Sequence, residues 1–76
     1  MDIFSVKQYQ DWVVQLVDSK GRVKKGVFIG YDGPNYDEYE EEDRLLLLVK
    51  CGIICYKAQD IATFTPIRKA TEEEMR

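Results

Sequence analysis

The sequence predicts a mainly β domain, in which a short N-terminal helix is followed by five strongly bent strands that form a small open barrel. Three observations predict it. Apolar residues gather in short runs such as "WVVQLV", "LLLLV" and "IICY", each bounded by turn-forming residues. Two glycines, Gly26 and Gly30, interrupt the second run, where a curling strand needs points without a Cβ. The chain is only 76 residues long, which makes one domain with a modest core.

The elements follow in order. "SVKQ" has the spacing of a capping box, with Ser5 as N-cap and Gln8 reaching back, and it starts a helix of about two turns. Residues 12–18 form the first strand, with Trp12, Val14 and Leu16 on one face and Val13, Gln15 and Val17 on the other. "DSKG" is a turn, and "RVKKGVFIGYD" is the second strand. Gly33, Pro34 and Asn35 signal a turn that leads into the acidic run "DEYEEED", a solvated loop or hairpin extension. "LLLLVK" is apolar without alternation, so the third strand is expected to be covered on both faces. A turn at Cys51-Gly52 leads to the fourth strand, Ile53 to Tyr56. "KAQD" is the next turn, and Ile61 to Thr65 form the fifth strand, with Pro66 ending the pairing. Residues 1–66 thus form the domain. Residues 67–76 form a charged tail, a frayed helix or disorder, with a possible capping box from Thr71 to Glu74.

Composition narrows the function classes. Two cysteines and no histidine argue against a disulfide framework or a zinc site, so Cys51 and Cys55 are expected as reduced strand residues of a cytoplasmic protein. The opening "MDIFSVKQYQDW" is too polar for a signal peptide, and no apolar run reaches the ~20 residues of a membrane span. Net charge is −3, yet six of the 14 acidic residues lie between Asp37 and Asp43. Without that run, 8 acids face 11 bases, so the remainder is about +3 and mildly basic. No histidine stands ready for general base work, and neither serine has an evident base beside it, so no enzyme is expected. No cofactor is expected either. The acidic run has carboxylates of the kind Mg²⁺ or Ca²⁺ prefers, but its spacing lacks the glycine and bidentate Glu of an EF-hand loop.

An open barrel has two edges. Here the last two strands, with Ile53, Ile54, Tyr56, Ile61 and Phe64, are too apolar to stand as bare edges. Edge-to-edge pairing between copies is therefore expected, and head-to-tail pairing of unlike edges closes into a ring or continues as a filament.

Gly26, Phe28, Tyr31 and Asp32 are spaced as in the first motif of the Sm, LSm and Hfq proteins, and the chain resembles that RNA-binding family. Lys57-Ala58-Gln59-Asp60-Ile61, closed by Phe64, is similar to its second motif, and "CYKAQDIATFTP" is similar to the bacterial Hfq version. Residues 5–66 are covered. Two departures stand out: Ala58 replaces the usual Gly, and after Asp32 only Asn35 lies near the family's base-binding Asn. The resemblance implies a small Sm-like (SH3-like) barrel assembled as a homo-oligomeric ring, with the fourth strand of one copy pairing with the fifth of the next. Single-stranded RNA, or DNA, would be bound at the pore, as for an RNA chaperone or RNA-processing adaptor. It assigns Lys57, Gln59, Tyr31, Asp32 and Asn35 to RNA binding.

Plainer readings stand beside these. Lys57 and Gln59 are also ordinary turn residues, and Tyr31 occupies a family core position. Tyr36 and Tyr39 are either stacking platforms or loop packing. Arg22, Lys24 and Lys25 are either an outer RNA contact or a soluble strand end, with Arg22 and Lys24 on one face and Lys25 on the other. The alternative function is a protein-interaction module whose acidic loop docks a basic partner without binding nucleic acid.

Overall fold

The structure is a computed structural model that describes residues 2–32 and 44–75. Asn35, Tyr36, Tyr39 and the acidic run lie outside the described residues. Five antiparallel strands make one sheet: β1 (Trp12–Asp18), β2 (Val23–Asp32), β3 (Arg44–Val49), β4 (Gly52–Lys57) and β5 (Ile61–Lys69). Their spatial order is β4-β3-β2-β1-β5, so the last two strands of the sequence lie at opposite ends of the sheet. The sheet is not closed into a barrel.

The N-terminal segment, Ile3–Tyr9, is a 3-10 helix, and its cap differs from the expected one. Asp2 is the N-cap, its carboxylate accepting from the Phe4 N–H at 3.0 Å. The Ser5 hydroxyl instead donates to the Asp2 carbonyl at 2.6 Å. Asp2 is the better acceptor because its carboxylate reaches a free first-turn N–H that the more distant Ser5 cannot. Ile3 is buried and fixes the helix to the sheet. Asp11, at φ 69°, turns the chain into β1, while its N–H donates to the Phe28 carbonyl and its own carbonyl accepts from the Ala70 N–H.

The core lies on one face of the sheet. Val14, Leu16, Phe28, Leu45, Leu47, Tyr56 and Ile61 meet Ile3 there, as two-residue alternation along each strand requires. β3 follows the expectation only in part. Leu45 and Leu47 are buried, but Leu46 and Leu48 on the other face are half-buried, and among the described residues no second layer covers that side of β3. The outer face carries its own row, in which Val13 pairs with Val27, Val27 with Leu48 and Leu48 with Ile53.

β2 supplies the bends. A Cβ on Gly26 would collide with the Leu48 carbonyl oxygen and lie 3.0 Å from Val49 Cγ1 and 3.1 Å from Leu47 Cγ. Only glycine permits this approach of β2 to β3. Further along, the register slips between Phe28 and Gly30, a bulge that places Phe28 opposite Leu47 but Tyr31 opposite Leu45. The curl also brings Ile54, Cys55 and Tyr56 of β4 to line one hollow with Asp18, Ser19, Lys20, Arg22 and Lys24.

Pro66 does not end β5. Pairing with β1 continues past it, Val14 to Pro66, Val13 to Arg68 and Trp12 to Lys69, with a register shift between Val13 and Val14. An edge strand has a neighbour on one side only, so a residue without an N–H is tolerated there. Beyond β5, residues 71–75 form a capped turn. The Thr71 N–H donates to Glu74 Oε1 and the Glu74 N–H to Thr71 Oγ1, the reciprocal pair expected of a capping box. Arg68 clamps Glu74 from β5 with two bonds of 2.6 and 2.7 Å. Glu74 borders a hollow on the outer face with Val13, Val27 and Leu48.

Candidate nucleic-acid interface

At the end of the sheet where β2 stops and β3 starts, Asp32 pairs with Arg44 and Arg44 with Lys57. Cross-strand partners share a face, so these three side chains form one charged row on the outer side. Arg44 reaches the Asp32 carboxylate at 4.0 Å. The next row inward, Tyr31, Leu45 and Tyr56, belongs to the core side. Lys57 is the last residue of β4 and the N-cap of a single 3-10 turn, Ala58–Asp60, on which Gln59 is exposed. Of the five residues singled out from sequence, Asp32 and Lys57 thus share one outer row through Arg44, Tyr31 stands one residue inward on the core side, and Gln59 lies on the turn that leads from Lys57 toward Ser19. Asn35 lies outside the described residues.

Their states differ. Tyr31 is used in packing: its hydroxyl donates to the Ile3 carbonyl at 2.7 Å, and its ring lies 5.3 Å from Phe28, edge to face. Burial pushes its hydroxyl pKa above the ordinary range, and the charge of Asp2 adds to that. Tyr31 thereby ties the N-terminal helix to β2. Lys57 is half-buried and Gln59 exposed. Arg44 was not singled out from sequence. Its signal was available only as the first residue after the acidic run, and its place opposite Lys57 depends on a register that sequence does not supply. Two cations on neighbouring strands suit a chain of phosphates better than a single compact anion.

A second basic region lies at the other end of β2. Arg22 falls in the turn before β2, where the Asp18 carboxylate accepts from its backbone N–H at 2.8 Å and from its Nε at 2.9 Å. That backbone bond, then the guanidinium, holds the Asp18 carboxyl below the usual carboxylate range. The Ser19 N–H donates to the Asp60 carbonyl, which locks the β1–β2 turn to the turn before β5. Lys24 and Lys25 line a shallow hollow of about 360 Å³ with Lys50, Cys51 and Ile53. Arg22 is thus spent on the turn, while the two lysines remain exposed.

Cys51 and Cys55 are free and exposed. Among the described residues, no group of three His, Cys, Asp or Glu is placed to hold a metal ion. Among those residues, too, no helix is long and apolar enough to cross a membrane. Protein-family models, curated proteins and solved structures gave no match to the chain.

Proposed function

We propose that the chain is an Sm-like small-barrel protein whose copies join β4 to β5 in a homo-oligomeric ring and bind single-stranded RNA, or DNA, beside Lys57. The observation that carries this reading is the strand order. It leaves β4 and β5 as the two unlike edges, with Ile53 (54% exposed) on one and Ile67 (43% exposed) on the other. Apolar edges of unlike kind are suited to head-to-tail pairing, which removes both from water. Each such joint would bring one more copy of the Arg44–Lys57 pair into a common array of cations. The protein then acts by binding rather than by catalysis, as a cytoplasmic RNA chaperone or processing adaptor. Lys57 and Arg44 engage phosphates, and Gln59, on the following turn, reaches for a base edge.

The test measures binding of a short uridine- or adenine-rich oligomer by fluorescence anisotropy at several salt concentrations, with native mass measured in parallel. For single strands each phosphate contact adds about 0.7 to the slope of log affinity against log salt, so a fourfold rise in salt weakens binding about 2.6-fold per contact. The expected result is an assembly larger than a monomer, steep salt dependence, and a shallower slope with weaker binding in Lys57→Ala. A monomer that binds no oligomer at low salt refutes the reading.

A further inference from the structure

Across the outer face one row of side chains spans all five strands: Arg68, Val13, Val27, Leu48 and Ile53, each the cross-strand partner of the next. Around its middle lies a hollow of about 470 Å³, with Val13, Val27 and Leu48 as an apolar floor. Its walls carry opposite charge. Lys25 and Lys50 stand on one side, and Glu74, held from β5 by Arg68, stands on the other.

The two walls differ in what they have left to bind. Glu74 is engaged: its carboxylate accepts from Arg68 at 2.6 and 2.7 Å and from the Thr71 N–H at 3.0 Å. Lys25 and Lys50 are exposed, and among the described residues neither is ion-paired. The ladder that sets Val27 opposite Leu48 brings Lys25, two residues earlier, beside Lys50, two residues later. Like charges opposite one another on neighbouring strands repel, and an anion between them turns the repulsion into attraction. Lys24 adds a third cation, in the adjoining hollow that Lys25 and Lys50 also line. An inorganic anion would answer the charge and leave the floor wet. An acidic peptide answers both, because its carboxylates meet the lysines while an apolar side chain meets Leu48, which is half-buried. Glu74 repels carboxylates at the far wall, so it sets the direction in which such a segment lies.

We propose that this hollow receives an acidic segment of a partner protein, its carboxylates on Lys25 and Lys50 and an apolar side chain over Leu48. The site uses none of the residues assigned above to nucleic acid, so the two readings stand or fall separately.

The experiment uses the whole chain and short fluorescein-labelled peptides of alternating Glu and Leu, Glu and Gly, or Gln and Leu. Anisotropy gives their affinities at several salt concentrations, amide NMR shifts locate the contact, and circular dichroism checks folding. Expected is tightest binding of the Glu-Leu peptide, shifts at Lys25, Val27, Leu48 and Lys50, and weakening with salt. The double variant Lys25→Ala, Lys50→Ala should stay folded, since both side chains are exposed, and should lose about 2- to 30-fold in affinity, the worth of two exposed ion pairs. Leu48→Ala should remove the advantage of the Glu-Leu over the Glu-Gly peptide. No binding of the Glu-Leu peptide at low salt overturns the proposal, as does wild-type affinity in the folded double variant or equal binding of the Gln-Leu peptide. Inorganic phosphate that reproduces the shifts makes this a small-anion site, and a uridine-rich oligomer that displaces the peptide gives it to nucleic acid; either result also overturns the proposal.

Discussion

Replacing Gly26 by alanine tests the bend on which the whole sheet depends. The added Cβ would point to the core side and run into the Leu48 carbonyl oxygen, with Val49 Cγ1 at 3.0 Å and Leu47 Cγ at 3.1 Å. The two side chains have some freedom to turn away. The carbonyl does not, because it belongs to the backbone of β3, which is held in ladders to β2 on one side and β4 on the other. Relief therefore requires β2 and β3 to separate locally. Overpacking of a core costs about 1–3 kcal/mol, and a collision with backbone belongs at the upper end, about 3 kcal/mol. Stability of roughly 0.05–0.15 kcal/mol per residue puts a chain of this size at about 4–11 kcal/mol, so the variant loses a large part of it. In a domain of this length 1 kcal/mol shifts the midpoint by about 4–8 °C, which makes the expected fall in Tm about 12–24 °C. Thermal and urea unfolding followed by circular dichroism measure it, at two protein concentrations so that assembly is separated from folding. A Tm within about 2 °C of wild type would refute the argument that β2 curls at this residue.

Two further outcomes follow from the edges and the C-terminal turn. Ile53→Lys on β4, or Ile67→Lys on β5, places a charge on an apolar edge and should lower the native mass to that of a monomer while leaving Tm nearly unchanged; an unaltered mass would show that these edges do not join copies. The Glu74 carboxyl is drawn down to about 2, first by the Arg68 side chain and then by the Thr71 backbone N–H. A folded-state value below the ordinary carboxylate range means that its contribution is complete above about pH 4.5 and is lost as pH falls toward 2. NMR titration of Glu74 should therefore show the low midpoint, with loss of the Thr71 and Glu74 amide bonds over that interval, and an ordinary midpoint near 4.5 would refute the clamp.

Much of the fold was legible because alternation is a local property. β1 came out residue for residue, with Val14 and Leu16 in the core. The last two strands are the end strands of the sheet, but of the residues that made them look too apolar for bare edges Tyr56 and Ile61 are buried in the chain's own core, Ile54 and Phe64 are partly buried, and Ile53 alone is exposed. What sequence misjudged depended on neighbours. Pro66 reads as a stop when the strand is considered alone, but β5 has β1 on one side only and continues. Ser5 has the spacing of a cap, yet Asp2 is a charged acceptor one turn earlier and takes the bond. At the candidate site, Lys57 and Gln59 were legible from a motif, and the pairing of Arg44 with Lys57 was not, because it follows from the β3–β4 register.

The slipped residue in β2 has a consequence for how this region tolerates change. Ile29 is the additional residue, and because the bulge takes it out of the ladder Tyr31 stays on the core side and Asp32 in the outer row with Arg44. Drawing it into a regular ladder would exchange the two, pressing a carboxylate against Leu45 and casting the phenol into water, whereas deleting it would leave Gly30, Tyr31 and Asp32 opposite Leu46, Leu45 and Arg44 as they are. The end of β2 should accordingly tolerate the loss of this one residue but not its forced return to the ladder, and the bulge is as much a determinant of the charged row as the side chains in it.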